Sequence, residues 1–105
     1  MAKILVVDDQ KNMRTTLAMM LRGAGHEVEE APDGDDALER IPAEAYDLVL
    51  TDLKMGATDG MDVLREARDT APLTAVIVIA DDQQPITILD DLISEGHVGL
   101  MLAIE

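Results

Sequence analysis

The sequence predicts an α/β fold, a single parallel sheet covered by helices on both faces. Three observations predict it. Short, apolar, mostly β-branched runs occur at residues 4–7, 48–51 and 75–80, and each has the composition of a strand buried on both sides. Segments with apolar residues at helical spacing separate those runs. The first two runs end in carboxylates, Asp8 with Asp9 and Asp52, which parallel strands would bring to one sheet edge.

The elements follow in chain order. After the strand at 4–7, Met13, Leu17, Met20 and Leu21 repeat on one helical face and predict a core-facing helix, stopped by Gly23 and Gly25. His26 to Glu30 alternates weakly and predicts a short edge strand, whose Glu27, Glu29 and Glu30 form a solvated margin that resists edge pairing. Asp33 and Gly34 form a turn or cap before a short helix carrying Ala37, Leu38 and Ile41, which Pro42 ends. The strand at 47–51 leads into a loop over 54–60. Asp59 can cap a helix with Val63, Leu64 and Ala67 on its inner side. Pro72 precedes the strand at 75–80. Asp82 caps a fourth helix with Ile86, Leu89, Leu92 and Ile93 inward, and a last apolar strand occupies 98–104.

Strands alternating with helices imply right-handed βαβ crossovers and leave few topologies. The expected arrangement is flavodoxin-like: three layers, α/β/α, around a five-stranded parallel sheet of order 2-1-3-4-5. A ligand site then lies above the carboxyl ends of the adjacent first and third strands. No sequence remains for a fifth helix, so the final helix is expected to be absent and part of one sheet face to be bare. A second copy, a swapped element or another partner would cover that face.

At 105 residues the chain is expected to be one domain, 1–105. It has no cysteine, so no disulfide frame and no thiolate metal site. A formal net charge of −14 argues against nucleic-acid binding and against an anionic membrane surface. Tyr46 is the one aromatic residue, too little for a base-stacking platform, and the seven Met residues read as core filler. Neither a leader nor a spanning segment is legible, and a soluble cytoplasmic protein is expected.

Adjacent carboxylates at a strand end repel by about 1 kcal/mol at ~4 Å in water and about 4 kcal/mol at an effective dielectric of 20. A solvated acidic turn would tolerate this. A hard cation would remove it, and Mg²⁺, which takes one or two carboxylates with waters and phosphate oxygens, suits three acids at one edge. Asp52, from the central strand with a loop open behind it, is the natural phosphoryl acceptor. Asp8 and Asp9 would hold the metal. His26 and His97 have no second ligand at metal spacing and are read as structural or surface residues.

The sequence resembles the receiver domain of two-component response regulators, the CheY-like family. The resemblance runs from Ile4 through Asp8, Asp9 and Gln10, then Met13-Arg14, Gly25-His26, the segment at 31–38 and Tyr46-Asp47. It continues through Asp52-Leu53-Lys54-Met55 and Asp59-Gly60, ending near Val78. It is most similar to receivers of sigma-54-dependent transcription regulators. The resemblance implies that Asp52 is phosphorylated by a sensor histidine kinase and that Asp8, Asp9, Asp52 and the backbone carbonyl of Lys54 hold Mg²⁺. It implies a signalling domain rather than an enzyme with its own substrate.

The departures from that family fall mostly late in the chain. Gly56 stands where receivers carry Pro. Ala80 stands where they carry Ser or Thr, Leu100 where they carry an aromatic, and no Lys or Arg follows Arg68. These predict slow or poorly retained phosphorylation. The alternative is an altered receiver that acts as a phosphorylation-independent interaction or dimerisation module. A homodimer or swapped oligomer is expected in either case.

Overall fold

A computed structural model of the protein describes residues 1–79. It contains β1 (Lys3–Val7), α1 (Lys11–Gly23), β2 (Glu27–Ala31), α2 (Gly34–Ala43), β3 (Leu48–Asp52), α3 (Gly60–Thr70) and β4 (Ala75–Ile79). The strands form a parallel sheet of order β2-β1-β3-β4. This is the expected CheY-like arrangement through the fourth strand. The helix expected near Asp82, the strand expected at 98–104, Ala80, His97, Leu100 and the bare face lie outside the described residues.

Alternation along the strands splits the core into two layers. Leu5, Val7, Val49, Val76 and Val78 pack with Ala37 and Ile41 of α2 and with Val63, Leu64 and Ala67 of α3. Ile4, Val6 and Val28 turn the other way and pack with Ala18 of α1. Each fully buried Leu, Ile or Val contributes roughly 1.5–3 kcal/mol. β1 therefore holds both layers, and the chain direction at its end is firmly set.

Helix starts match local chemistry. Asp33 caps α2 by accepting from the Asp36 N–H, and Asp59 with Asp62 forms a reciprocal capping box on α3. Gly25 turns the chain out of α1 at φ 96°, a conformation other residues rarely adopt. Two expectations are corrected. Pro42 lies inside the last turn of α2, which runs to Ala43. Met13 and Met20 are 50% and 66% exposed rather than core. At about 3.6 residues per turn, the inward arc of α1 is centred on Arg14, Ala18 and Leu21, and the two Met residues fall roughly 100° or more round the helix, on its outer side.

The edge strand β2 is ionic rather than simply solvated. Glu29 accepts from the Tyr46 hydroxyl at 2.6 Å and from Arg40 at 3.3 Å, and Lys3 Nζ lies 3.9 Å away. Glu30 pairs with Arg14 and Arg22. His26 is structural, its Nδ1 accepting from the Ala2 N–H. Tyr46 is 4% exposed. Burial, then the hydrogen bond to Glu29, pushes its hydroxyl above the ordinary tyrosine range. The folded state therefore holds this proton more tightly than the unfolded chain. Its contribution is complete below about pH 10 and is lost as the pH rises through the higher folded value. Tyr46→Phe is expected to cost about 1 kcal/mol at neutral pH. It should also remove part of the decline in stability above pH 10, read as the difference between the two urea midpoint–pH curves.

No helix among the described residues is long and apolar enough to cross a membrane.

Candidate functional site

Register brings the acids together. Val7 of β1 pairs with Thr51 of β3, so Asp8, one step past β1, comes level with Asp52, the last residue of β3. One carboxylate oxygen from each of Asp8, Asp9 and Asp52 lies within 4.8 Å of the other two. Asp8 is 6% exposed, Asp52 is half-buried, and Asp9 is exposed.

The buried member is held at several points. Asp8 Oδ1 accepts from the Gln10 N–H at 2.9 Å, its own N–H donates to the Ala31 carbonyl at 3.1 Å, and its carbonyl accepts from Arg14 Nη1 at 2.9 Å. A buried carboxylate is tolerated when it is hydrogen-bonded in this way. Gln10, Ala31 and Arg14 were not singled out from the sequence for this role. The Gln10 contact is a local Asx-type turn that Asp followed by a polar residue could have signalled, whereas the Arg14 and Ala31 contacts come from α1 and β2 and no local spacing announces them.

Asp52 opens into the β3–α3 loop. The Thr51 hydroxyl donates to the Asp52 carbonyl at 3.0 Å, and the Leu53 N–H donates to the Ile79 carbonyl at 2.9 Å, tying the loop's start to β4. The Gly60 N–H returns to the Leu53 carbonyl at 2.9 Å. Between these ties lies an open cleft of about 420 Å³ lined by Leu53, Lys54, Met55, Gly56 and Asp59. Lys54 is exposed within it, and Met55 is buried beneath. At its far end Thr58 donates to Asp35 at 2.5 Å, fastening the loop to the start of α2.

Chemically, this is a cluster of hard oxygen donors beside an open cleft. Such donors, sharing one small space, fit a divalent cation of the Mg²⁺ kind. Asp52 is half-buried and directly precedes Leu53, the first residue lining that cleft.

The sequence model of the response regulator receiver domain matches residues 4–101. The chain is 37% identical over 82 residues to transcriptional regulatory protein ResD of Bacillus subtilis, a match covering 78% of this chain and 34% of ResD. It is 36% identical over 77 residues to a gliding motility regulatory protein of Myxococcus xanthus, covering 73% of this chain and 10% of that protein. The chain thus spans about a third or less of these curated relatives. Among solved structures it is similar to response regulator TrrA of Thermotoga maritima in complex with Mg²⁺ and BeF. That match has a TM-score of 0.79 and 30% identity, and covers 100% of this chain and 88% of that one. It is also similar to a Burkholderia pseudomallei response regulator with a phosphorylated aspartic acid and a calcium ion. There the TM-score is 0.78 and the identity 26%, covering 98% of this chain and 59% of that one.

Proposed function

The chain belongs to the response regulator receiver domain family, and from that premise we propose that Asp52 is its phosphoacceptor. Asp8, Asp9, Asp52 and the carbonyl of Lys54 hold Mg²⁺. The observation that carries this reading is the convergence of three carboxylates within 4.8 Å at the carboxyl ends of two adjacent parallel strands.

The donor is a phosphohistidine of a sensor histidine kinase. An oxygen of Asp52 forms the new bond to phosphorus as the phosphorus–nitrogen bond breaks, and the imidazole leaves to take up a proton. Bound Mg²⁺ supplies charge neutralisation for the phosphoryl oxygens. The chain's own part is to hold Asp52 beside Asp8 and Asp9 and to keep Asp8 fixed through its contacts with Gln10, Ala31 and Arg14. The domain, 1–105, acts as a switch rather than as an enzyme with its own substrate. The similarity to a transcriptional regulatory protein supports output through transcription, and the sequence resemblance to receivers of sigma-54-dependent regulators is the basis for reading that output as of their type.

The test is incubation with a small acyl phosphate and Mg²⁺, followed by intact-mass measurement. One added phosphoryl group, absent without Mg²⁺ and absent in Asp52→Asn, is expected. No Asp52-dependent gain would overturn the reading and favour an interaction module that works without phosphate.

A further inference from the structure

Arg14 is the cation of α1 that turns inward, with a side chain only 14% exposed. Its guanidinium does two things at once. Nη1 donates to the carbonyl oxygen of Asp8 at 2.9 Å, and Nε donates to Glu30 Oε1 at 3.2 Å. Glu30 is itself held by Arg22, at 3.5 Å, and Arg22 also donates to the Val28 carbonyl at 2.9 Å. A line of contacts therefore runs from the edge strand β2, through Glu30, to the main chain of the acidic cluster.

The point of attachment matters. The carbonyl of Asp8 belongs to the peptide plane that joins Asp8 to Asp9. Asp8 has other restraints, on its N–H from Ala31 and on its carboxylate from Gln10. Asp9 is exposed. The direction in which its side chain leaves the backbone depends on the tilt of that shared plane. We infer that Arg14, oriented by Glu30, is a positioning residue of the cation site: it fixes the Asp8–Asp9 peptide plane and so sets the Asp9 carboxylate beside Asp8 and Asp52. Arginine reaches the carboxylate and the carbonyl from two different nitrogens of one rigid plane, Nε and Nη1; lysine would have to reach both from a single nitrogen on a flexible stem.

Two simpler roles for Arg14 predict different results. A positive charge near a cation site repels the cation, so a purely electrostatic role predicts tighter Mg²⁺ binding when Arg14 is removed. A purely structural role predicts lower thermal stability with unchanged affinity. Positioning predicts weaker binding despite the lost repulsion.

This inference rests on the phosphoacceptor reading, since it concerns the same site. Its test is calorimetric titration of the unphosphorylated protein with Mg²⁺, at a temperature where circular dichroism shows every variant folded. Arg14→Met and Arg14→Lys are both expected to weaken Mg²⁺ binding about tenfold, the scale of supporting contacts around metal ligands. Glu30→Ala, at a half-buried surface position, is expected to weaken it by a smaller factor. It should have no further effect in an Arg14→Met background. Unchanged or tighter binding in Arg14→Met, beside a wild-type chain that binds, would overturn this inference alone. Failure of the wild-type chain to bind Mg²⁺ would overturn the phosphoacceptor reading and this inference with it.

Discussion

Gly60→Ala is expected to lower the folding stability by about 2–3 kcal/mol, the cost of overpacking a site that cannot yield. The sign runs against the usual rule, since Ala in place of Gly within a helix ordinarily stabilises by up to ~1 kcal/mol. Gly60 opens α3 where the helix crosses the end of β3. A β-carbon there would lie 2.5 Å from the Asp52 carbonyl oxygen and 2.9 Å from Leu53 Cα. Both are main-chain atoms, so no rotamer change relieves the contact. Relief must come from moving α3 or moving the end of β3, and the second displaces Asp52 from the acid cluster. Gly56→Ala is the control: nothing lies within 4 Å of the added carbon. It should unfold within about 0.5 kcal/mol of the wild-type chain. Urea midpoints of the three proteins decide the matter. A wild-type midpoint for Gly60→Ala would mean that α3 is not wedged against β3 as described.

Gly60 also shows what can be read in a sequence of this kind. The Asp59-Gly60 pair announced a cap, and the cap is there, because capping is local chemistry between residues a few positions apart. The acid cluster was equally legible. It needs only that two apolar strands run parallel and adjacent, and run composition predicts that. The face of α1 is rotated by close to a quarter turn from the one its apolar spacing predicts. Met13 and Met20 are apolar and correctly spaced, but Arg14 takes the inward arc because its guanidinium finds a carbonyl and a carboxylate there. Hydrophobic periodicity has no means of anticipating a charged residue that buries its stem and satisfies its head. The tight approach of Gly60 to β3, the Tyr46–Glu29 bond and the Arg14–Asp8 contact each join one element to another across a turn, strand or helix packing that sequence pattern does not fix. The expectations for residues 80–105, including Ala80 and Leu100, fall outside the described residues.

Asp52→Asn is expected to do three things together: abolish phosphoryl acceptance, abolish the response of stability to Mg²⁺, and raise stability in metal-free buffer. The third follows from the geometry. Carboxylates within 4.8 Å repel by about 3 kcal/mol per pair at an effective dielectric of 20 and by about 1 kcal/mol in water. Asp9 is exposed, so its share lies near the lower figure. Asp8 is buried, so its share lies nearer the upper one. An amide of the same shape removes the charge and keeps the packing. The two repulsions come to about 4 kcal/mol. Losing the charge-assisted interactions of Asp52 costs about 2 kcal/mol, and a gain of about 2 kcal/mol is the expected balance. Added salt should shrink that gain through the exposed pair more than through the buried one. In the wild-type chain the same repulsion is relieved by Mg²⁺ instead. Stability should rise with concentration as linkage requires, by about 2.7 kcal/mol when free Mg²⁺ is a hundredfold above its dissociation constant. The Asn variant's curve should stay flat, so the two lines cross as Mg²⁺ is raised. Denaturant midpoints measured across a Mg²⁺ series, with EDTA as the zero point, give both curves. A variant less stable than the wild-type chain in EDTA would mean that the interactions Asp52 makes with its surroundings outweigh its repulsion from Asp8 and Asp9. The three acids would then not behave as one electrostatic unit.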